Sequence, residues 1–167
     1  IVAGLLLGSL LGASSALSMI AFRTLKQWLL PVLVISQAIP VFALAPLLIL
    51  WLGYGMGSKI AMAVLIIYFP VTAAFYDGLR STEPEWLELA RVMNAKPFAV
   101  IRYIRIPAAL PALASGLRVA TAVAPIGAVV GEWVGSSKGL GFYMLHANAR
   151  MQIDIMFAAL AVLAVVA

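Results

Sequence analysis

The sequence predicts an all-α, polytopic helical membrane protein, and three observations carry that prediction. Hydrophobic residues make up 65% of the 167-residue chain and charged residues 10%, where a soluble domain carries about 25% charged residues. Mean hydropathy is +1.11. The apolar residues also fall in long uncharged runs separated by short charged clusters, as a stack of bilayer-spanning helices requires. About five spans are expected, within one transmembrane domain over residues 1–167.

The first uncharged run covers residues 1–22, long enough to cross the hydrocarbon core. Gly4, Gly8 and Gly12 recur at four-residue spacing and lay a smooth strip along one helix face, where a second backbone can approach closely. Arg23 and Lys26 close this span. Residues 27–58 carry no charge, and Pro31, Pro40 and Pro46 interrupt them. One kinked span over residues 30–52 is expected there, with Gln37 and the prolines facing the bundle interior, because each internal proline frees a carbonyl that lipid cannot satisfy.

Gly53, Gly55 and Gly57 with Ser58 form a turn, and residues 60–76 supply the next span, with Pro70 inside it. A polar stretch follows at 77–105. Residues 106–131 form a span interrupted only by Arg118, 135–152 read as a second polar connection, and 155–167 is a short apolar run. Neither end has the look of a natural terminus: no basic leader precedes the first run, and the last is too short to cross. Both are expected to continue in a longer protein.

The net charge of +5 does not point to nucleic acid, because the basic residues border apolar runs and act as topology signals. With no cysteine and a single histidine, disulfides and thiolate metal sites are excluded and acid/base chemistry is poorly supplied. Alternating spans put Arg23, Lys26, Arg80, Arg91, Lys96, Arg102 and Arg105 on one face, and Lys59, Lys138 and Arg150 on the other. The excess of positive charge makes the 77–105 loop cytoplasmic.

Within that loop, Thr82 and Glu85 fit a capping box, and Trp86, Leu89, Ala90 and Met93 recur at helical spacing. Asn94 sits where a helix end needs left-handed backbone, and Pro97 suits the first turn of another helix. The loop is expected to be helix, tight turn, helix. Such a pair has two physical readings: an amphipathic element lying on the membrane surface, or a handle that inserts its apolar stripe into a cytoplasmic partner.

The segment ELARVMNAKPFAVIRYIRIP resembles the EAA loop of binding-protein-dependent ABC importer permeases, whose pattern is EAA, three residues, Gly, nine residues, then I-x-L-P. Glu88 and Ala90 match the Glu and second Ala, and Ile104 and Pro107 match the Ile and Pro. Leu89, Asn94 and Ile106 depart from it at the first Ala, the Gly and the Leu. Asn tolerates the left-handed backbone that Gly would adopt. The tail GEWVGSSKGLGFYMLHANARMQIDIMFAAL is similar to the nitrate, sulfonate and taurine branch of these permeases, including those for thiamine pyrimidine precursors.

The resemblance implies the last five of about six spans, with an initial helix and a cytoplasmic N-terminus outside the sequence. It further implies a multi-pass protein of the bacterial cytoplasmic (inner) membrane that imports a small solute such as a sulfonate, nitrate or pyrimidine vitamin precursor. Its implied partners are an ABC ATPase subunit, an extracytoplasmic substrate-binding protein, a second permease copy in a homodimer, and membrane lipids. Trp86, Glu88, Leu89, Ala90, Arg91, Asn94, Ala95 and Pro107 would couple to the ATPase. The sequence has no GxxxxGK motif followed by Ser or Thr, so ATP and Mg are expected on the partner and no cofactor on this chain. No catalytic or metal-binding role is assigned.

For the substrate path, Arg118 and Glu132 stand out as ionisable groups in or at the end of one span. They lie 14 residues apart, about 21 Å along a helix, and so do not pair within it. Gln37 is the third candidate, with satisfaction of proline-freed backbone as its structural alternative. His146 and Asn148 fall in the outer connection, and Trp28, Trp51, Trp133 and Tyr143 near span ends, as interfacial belts do. A secondary transporter or channel would also use kinked helices and buried charge, but has no need of the EAA spacing.

Overall fold

The computed structural model describes residues 1–166, and all regular structure among them is helical. In chain order the elements are α1 (Val2–Ala21), α2 (Arg23–Ser36), α3 (Val41–Leu52), α4 (Met56–Arg80), α5 (Pro84–Val92), α6 (Pro97–Val100), a π-helical stretch (Ile101–Arg105), α7 (Ile106–Gly135), α8 (Leu140–Ala149) and α9 (Ile153–Val166). Among the described residues three helices are long and apolar enough to cross a membrane: α1, α4 and the continuous run Pro97–Val134. Counting α2 and α3 as one broken span gives a fourth, and α9 is a shorter apolar helix.

Contacts divide the chain into two compact units, neither contiguous in sequence. One comprises residues 1–8, 39–67 and 120–167; the other comprises 9–38 and 68–119. The second holds all seven basic residues that charge distribution assigned to one face. The first holds Lys59, Lys138 and Arg150.

In the first unit the glycine strip on α1 meets α4 as its spacing predicts. A Cβ on Gly4 would lie 2.5 Å from the Ala63 Cβ, and one on Gly8 2.8 Å from Ile67 Cγ2. The far part of α7 also packs on α4, Gly127 against Ala63 and Gly131 against Lys59. Close approach through small residues is how helices gain contact where lipid removes the hydrophobic drive between them. Residues 135–152 are more than a polar connection: they contain α8, which packs on α9. The turn between these helices is closed by Met151 at φ 58° and by the Gln152 N–H donating to the Ala147 carbonyl.

In the second unit Gly12 lies on α4 near Thr72 and Val71, and α7 packs on the same helix through Gly78 against Ala109 and Ala112, and Gly116 against Ala74. Met19, Leu33, Phe75, Tyr76 and Leu79 build its core around Ala16 and Ala109. The Lys26 ammonium stands 5.6 Å above the Tyr76 ring. The Tyr68 hydroxyl and Ser15 Oγ share a 2.9 Å hydrogen bond, which removes two polar groups from an apolar surrounding.

The expected single kinked span at 30–52 is instead two helices, α2 and α3, separated by residues 37–40. Pro31 and Pro46 are accommodated inside these helices. Pro40 is where helix stops: it disfavours helical backbone at Ile39 and has no N–H to continue the ladder. It adopts φ −59° and ψ 118° as the N-cap residue of α3.

The contact at Gly78 makes a direct test. A Cβ there would lie 2.6 Å from the Ala112 Cβ, whereas Gly55 has open space around it. Gly78→Leu should destabilise the detergent-purified protein by about 1–3 kcal/mol through overpacking, read as a lowered thermal midpoint, while Gly55→Ala should leave the midpoint nearly unchanged.

Candidate functional site

The site is built from the cytoplasm-assigned end of α4. A helix leaves its last carbonyls without partners, and here the Leu79 carbonyl accepts from Arg105 Nη1 at 3.0 Å and from Thr82 Oγ1 at 3.2 Å. That arrangement corrects the expected capping box. Thr82 is buried and turns its hydroxyl back to α4, while Glu83 is the N-cap residue of α5 and makes no side-chain cap. α5 starts instead on Pro84, whose missing N–H costs nothing at the first helical position, with Glu85 in the first turn favourable to the helix dipole.

The other end of α5 forms as its sequence predicts. Asn94 takes φ 53°, its N–H donates to the Arg91 carbonyl at 3.0 Å, and the Ala95 N–H donates to the Ala90 carbonyl at 2.9 Å. These two bonds make a Schellman motif. Lys96 then returns to extended backbone, and Pro97 opens α6.

The second helix of the loop is not a separate short element. It runs through the π-helical stretch straight into α7, the Ile106 N–H reaching back to the Ile101 carbonyl. Pro107 gives the physical reason, since it has no N–H and its ring crowds the preceding turn. A local widening from i−4 to i−5 bonding relieves both.

α5 and this helix enclose an apolar groove of about 440 Å³. The motif residues Ala90, Ile104 and Pro107, 14 and 17 positions apart, converge there with Trp86, Leu89 and Met93. Ala90 is 4% exposed at its floor, whereas Leu89 and Met93 are 61% and 73% exposed. Tyr103 and Ala108 complete the wall. The sequence reading missed them because the π stretch shifts the helical register between residues 100 and 108. Glu88 lies exposed on α5. Arg91 and Ala95 point elsewhere, lining a second cavity that also contains Arg105.

Of the three substrate-path candidates, Gln37 lies at the C-cap of α2, and Arg118 and Glu132 both lie on α7. Gln37 is exposed at the C-cap of α2, where its Nε2 reaches Ser36 Oγ only at 3.5 Å. Arg118 is exposed on α7. Glu132 Oε2 accepts the Gly141 N–H at 2.8 Å and so caps the first turn of α8. Gly139, at φ 124°, leaves no space for a Cβ against the Glu132 carboxylate. Beside it Lys59 Nζ donates to Ser136 Oγ at 2.9 Å, a contact across 77 residues that no local signal foretells. His146 rides on the Phe142 ring at 3.9 Å.

Residues 4–167 match the family described as "Binding-protein-dependent transport system inner membrane component". The chain is 68% identical over 160 residues to a "Probable ABC transporter permease protein" of Haemophilus influenzae, an alignment covering 96% of this chain and 65% of that one. It is 43% identical over 140 residues to the formylaminopyrimidine transport permease ThiX of Halalkalibacterium halodurans, covering 84% and 56%. It is also 43% identical over 144 residues to the riboflavin transport system permease RibX of Chloroflexus aurantiacus, covering 86% and 54%. The chain thus spans 54–65% of the length of these curated relatives.

The geometry at Asn94 separates two substitutions. Asn94→Gly keeps the left-handed turn and should leave the thermal midpoint unchanged or slightly raised. Asn94→Val forces a β-branched residue to positive φ and should cost about 1–2 kcal/mol, with residues 84–96 exchanging backbone hydrogens faster.

Proposed function

The chain belongs to the binding-protein-dependent transport system inner membrane component family, and on that premise we propose that it is the membrane subunit through which an ATP-powered importer passes its solute. It is a multi-pass inner-membrane protein with an all-helical fold. One observation carries the coupling role. α5 is a stiff, doubly tied helix whose exposed Trp86, Leu89 and Met93 converge with Ala90, Ile104 and Pro107 at one groove.

In this reading a separate ATPase, carrying ATP and Mg, grips α5 at that apolar edge, with the exposed Glu88 as its polar contact; Arg91, which lines the other cavity, is set aside from that joint. The Schellman turn at Asn94 and Ala95 keeps α5 from fraying, and Pro107 sets the register of the span it drives. Closure of the ATPase pair would displace α5 as a body and tilt the spans tied to it between inward-open and outward-open states. A second copy of the chain completes the path, and an extracytoplasmic binding protein delivers the solute.

Two relatives at 43% identity carry names for formylaminopyrimidine and riboflavin transport, and both ligands are nitrogen heteroaromatics. We therefore take a small heteroaromatic, of the pyrimidine-precursor kind, as the preferred cargo, ahead of sulfonate or nitrate. Gln37 and Arg118 supply exposed polar groups that could meet such a solute within the assembled path. Glu132 is committed to α8.

The test is charge reversal at the joint. In the complete transporter reconstituted in vesicles, Glu88→Lys should lower ATP-dependent uptake by at least tenfold while the subunit still inserts and melts normally. Undiminished coupled uptake would contradict the coupling role.

A further inference from the structure

The second cavity beside α5, about 350 Å³, is unlike the groove. Its walls are apolar side chains from two span ends: Ile20 and Ala21 close α1, and Val100 and Ile101 open the Pro97–Val134 run. Two guanidinium groups, Arg91 and Arg105, share it. None of the unit's four carboxylates, Asp77, Glu83, Glu85 and Glu88, is among its walls. Among the described residues Arg91 makes no hydrogen bond or ion pair, and Arg105 places one N–H on the Leu79 carbonyl, leaving other donors of its fork.

Two guanidinium groups lining one small cavity concentrate positive potential there, which favours an anion between or beside them. A fully soluble anion would have no use for the apolar walls. Span ends lie at headgroup depth, where the anionic surface of a cytoplasmic leaflet is in reach. We propose that this cavity is a binding site for one anionic phospholipid, its phosphate held by Arg91 and Arg105 and the upper part of an acyl chain laid against Ile20, Ala21, Val100 and Ile101. The lipid would fill the space behind α5 and brace the helix from the side away from the groove. The proposal rests on membership of the membrane family and not on the ATPase partner, so either can fail alone.

The test uses the complete transporter in phosphatidylcholine vesicles containing a minor fraction of spin-labelled phosphatidylglycerol or spin-labelled phosphatidylcholine. The wild type should immobilise the phosphatidylglycerol probe preferentially. Arg91→Gln, at an exposed position that leaves the fold intact, should weaken the preference by about fivefold, as expected for one arginine near the surface. Arg91→Lys should restore most of it. No preference in the wild type, or a preference equal in Arg91→Gln, would overturn the proposal. So would full displacement by inorganic phosphate, which would show a soluble-anion site instead.

Discussion

The hydrogen bond from the Arg105 guanidinium to the Leu79 carbonyl is the constraint on which the loop depends. It joins the end of α4 to the start of the Pro97–Val134 run, so both ends of the segment carrying α5 are fixed to long helices. A charged donor at a helix C-terminus meets the negative end of the dipole, and such a bond is worth about 1.5–3 kcal/mol where it is shielded from water. Arg105 is half-buried. With Thr82 on the same carbonyl and the Schellman bonds at Asn94 and Ala95, α5 has no free hinge at either end.

The rest of the chain shows how a helical membrane protein handles groups that lipid will not solvate. Proline is the recurrent problem: Pro40 separates two helices, Pro107 follows a widened turn, and Pro84 and Pro97 sit harmlessly at first helical positions. Glycine is the recurrent device. On α1 it lets the backbone of α4 approach directly through Gly4, Gly8 and Gly12, and Gly78 and Gly116 do the same for α4 against α7. The leucines of α1 outside this glycine strip, such as Leu6 and Leu10, are exposed.

Features with a local cause were legible in the sequence. The long uncharged runs, the four-residue glycine spacing, the left-handed Asn94 and the helix-opening Pro97 each follow from the residue and its immediate neighbours. What escaped had more than one outcome open to the same residues. Thr82 is a good capping residue by type, yet it serves the helix behind it because the Leu79 carbonyl lies closer to hand. The break at Pro40 and the bend expected there have the same sequence signature. α8 read as a polar connection because its first turn is secured from α7 by Glu132, nine residues back from Gly141. At the groove, Ala90, Ile104 and Pro107 were singled out by their match to the EAA pattern, whereas Tyr103 and Ala108 required the π-helical register.

The proposed coupling role requires α5 to be a rigid handle that moves with the spans to which it is tied. Because the chain has no native cysteine, spin labels at Glu85→Cys on α5 and Leu110→Cys on α7 would report the distance between handle and span in the assembled transporter. A single narrow distribution, the same with and without bound nucleotide, is the predicted result. A broad distribution, or one that shifts when nucleotide binds, would show α5 swinging independently and would contradict the account.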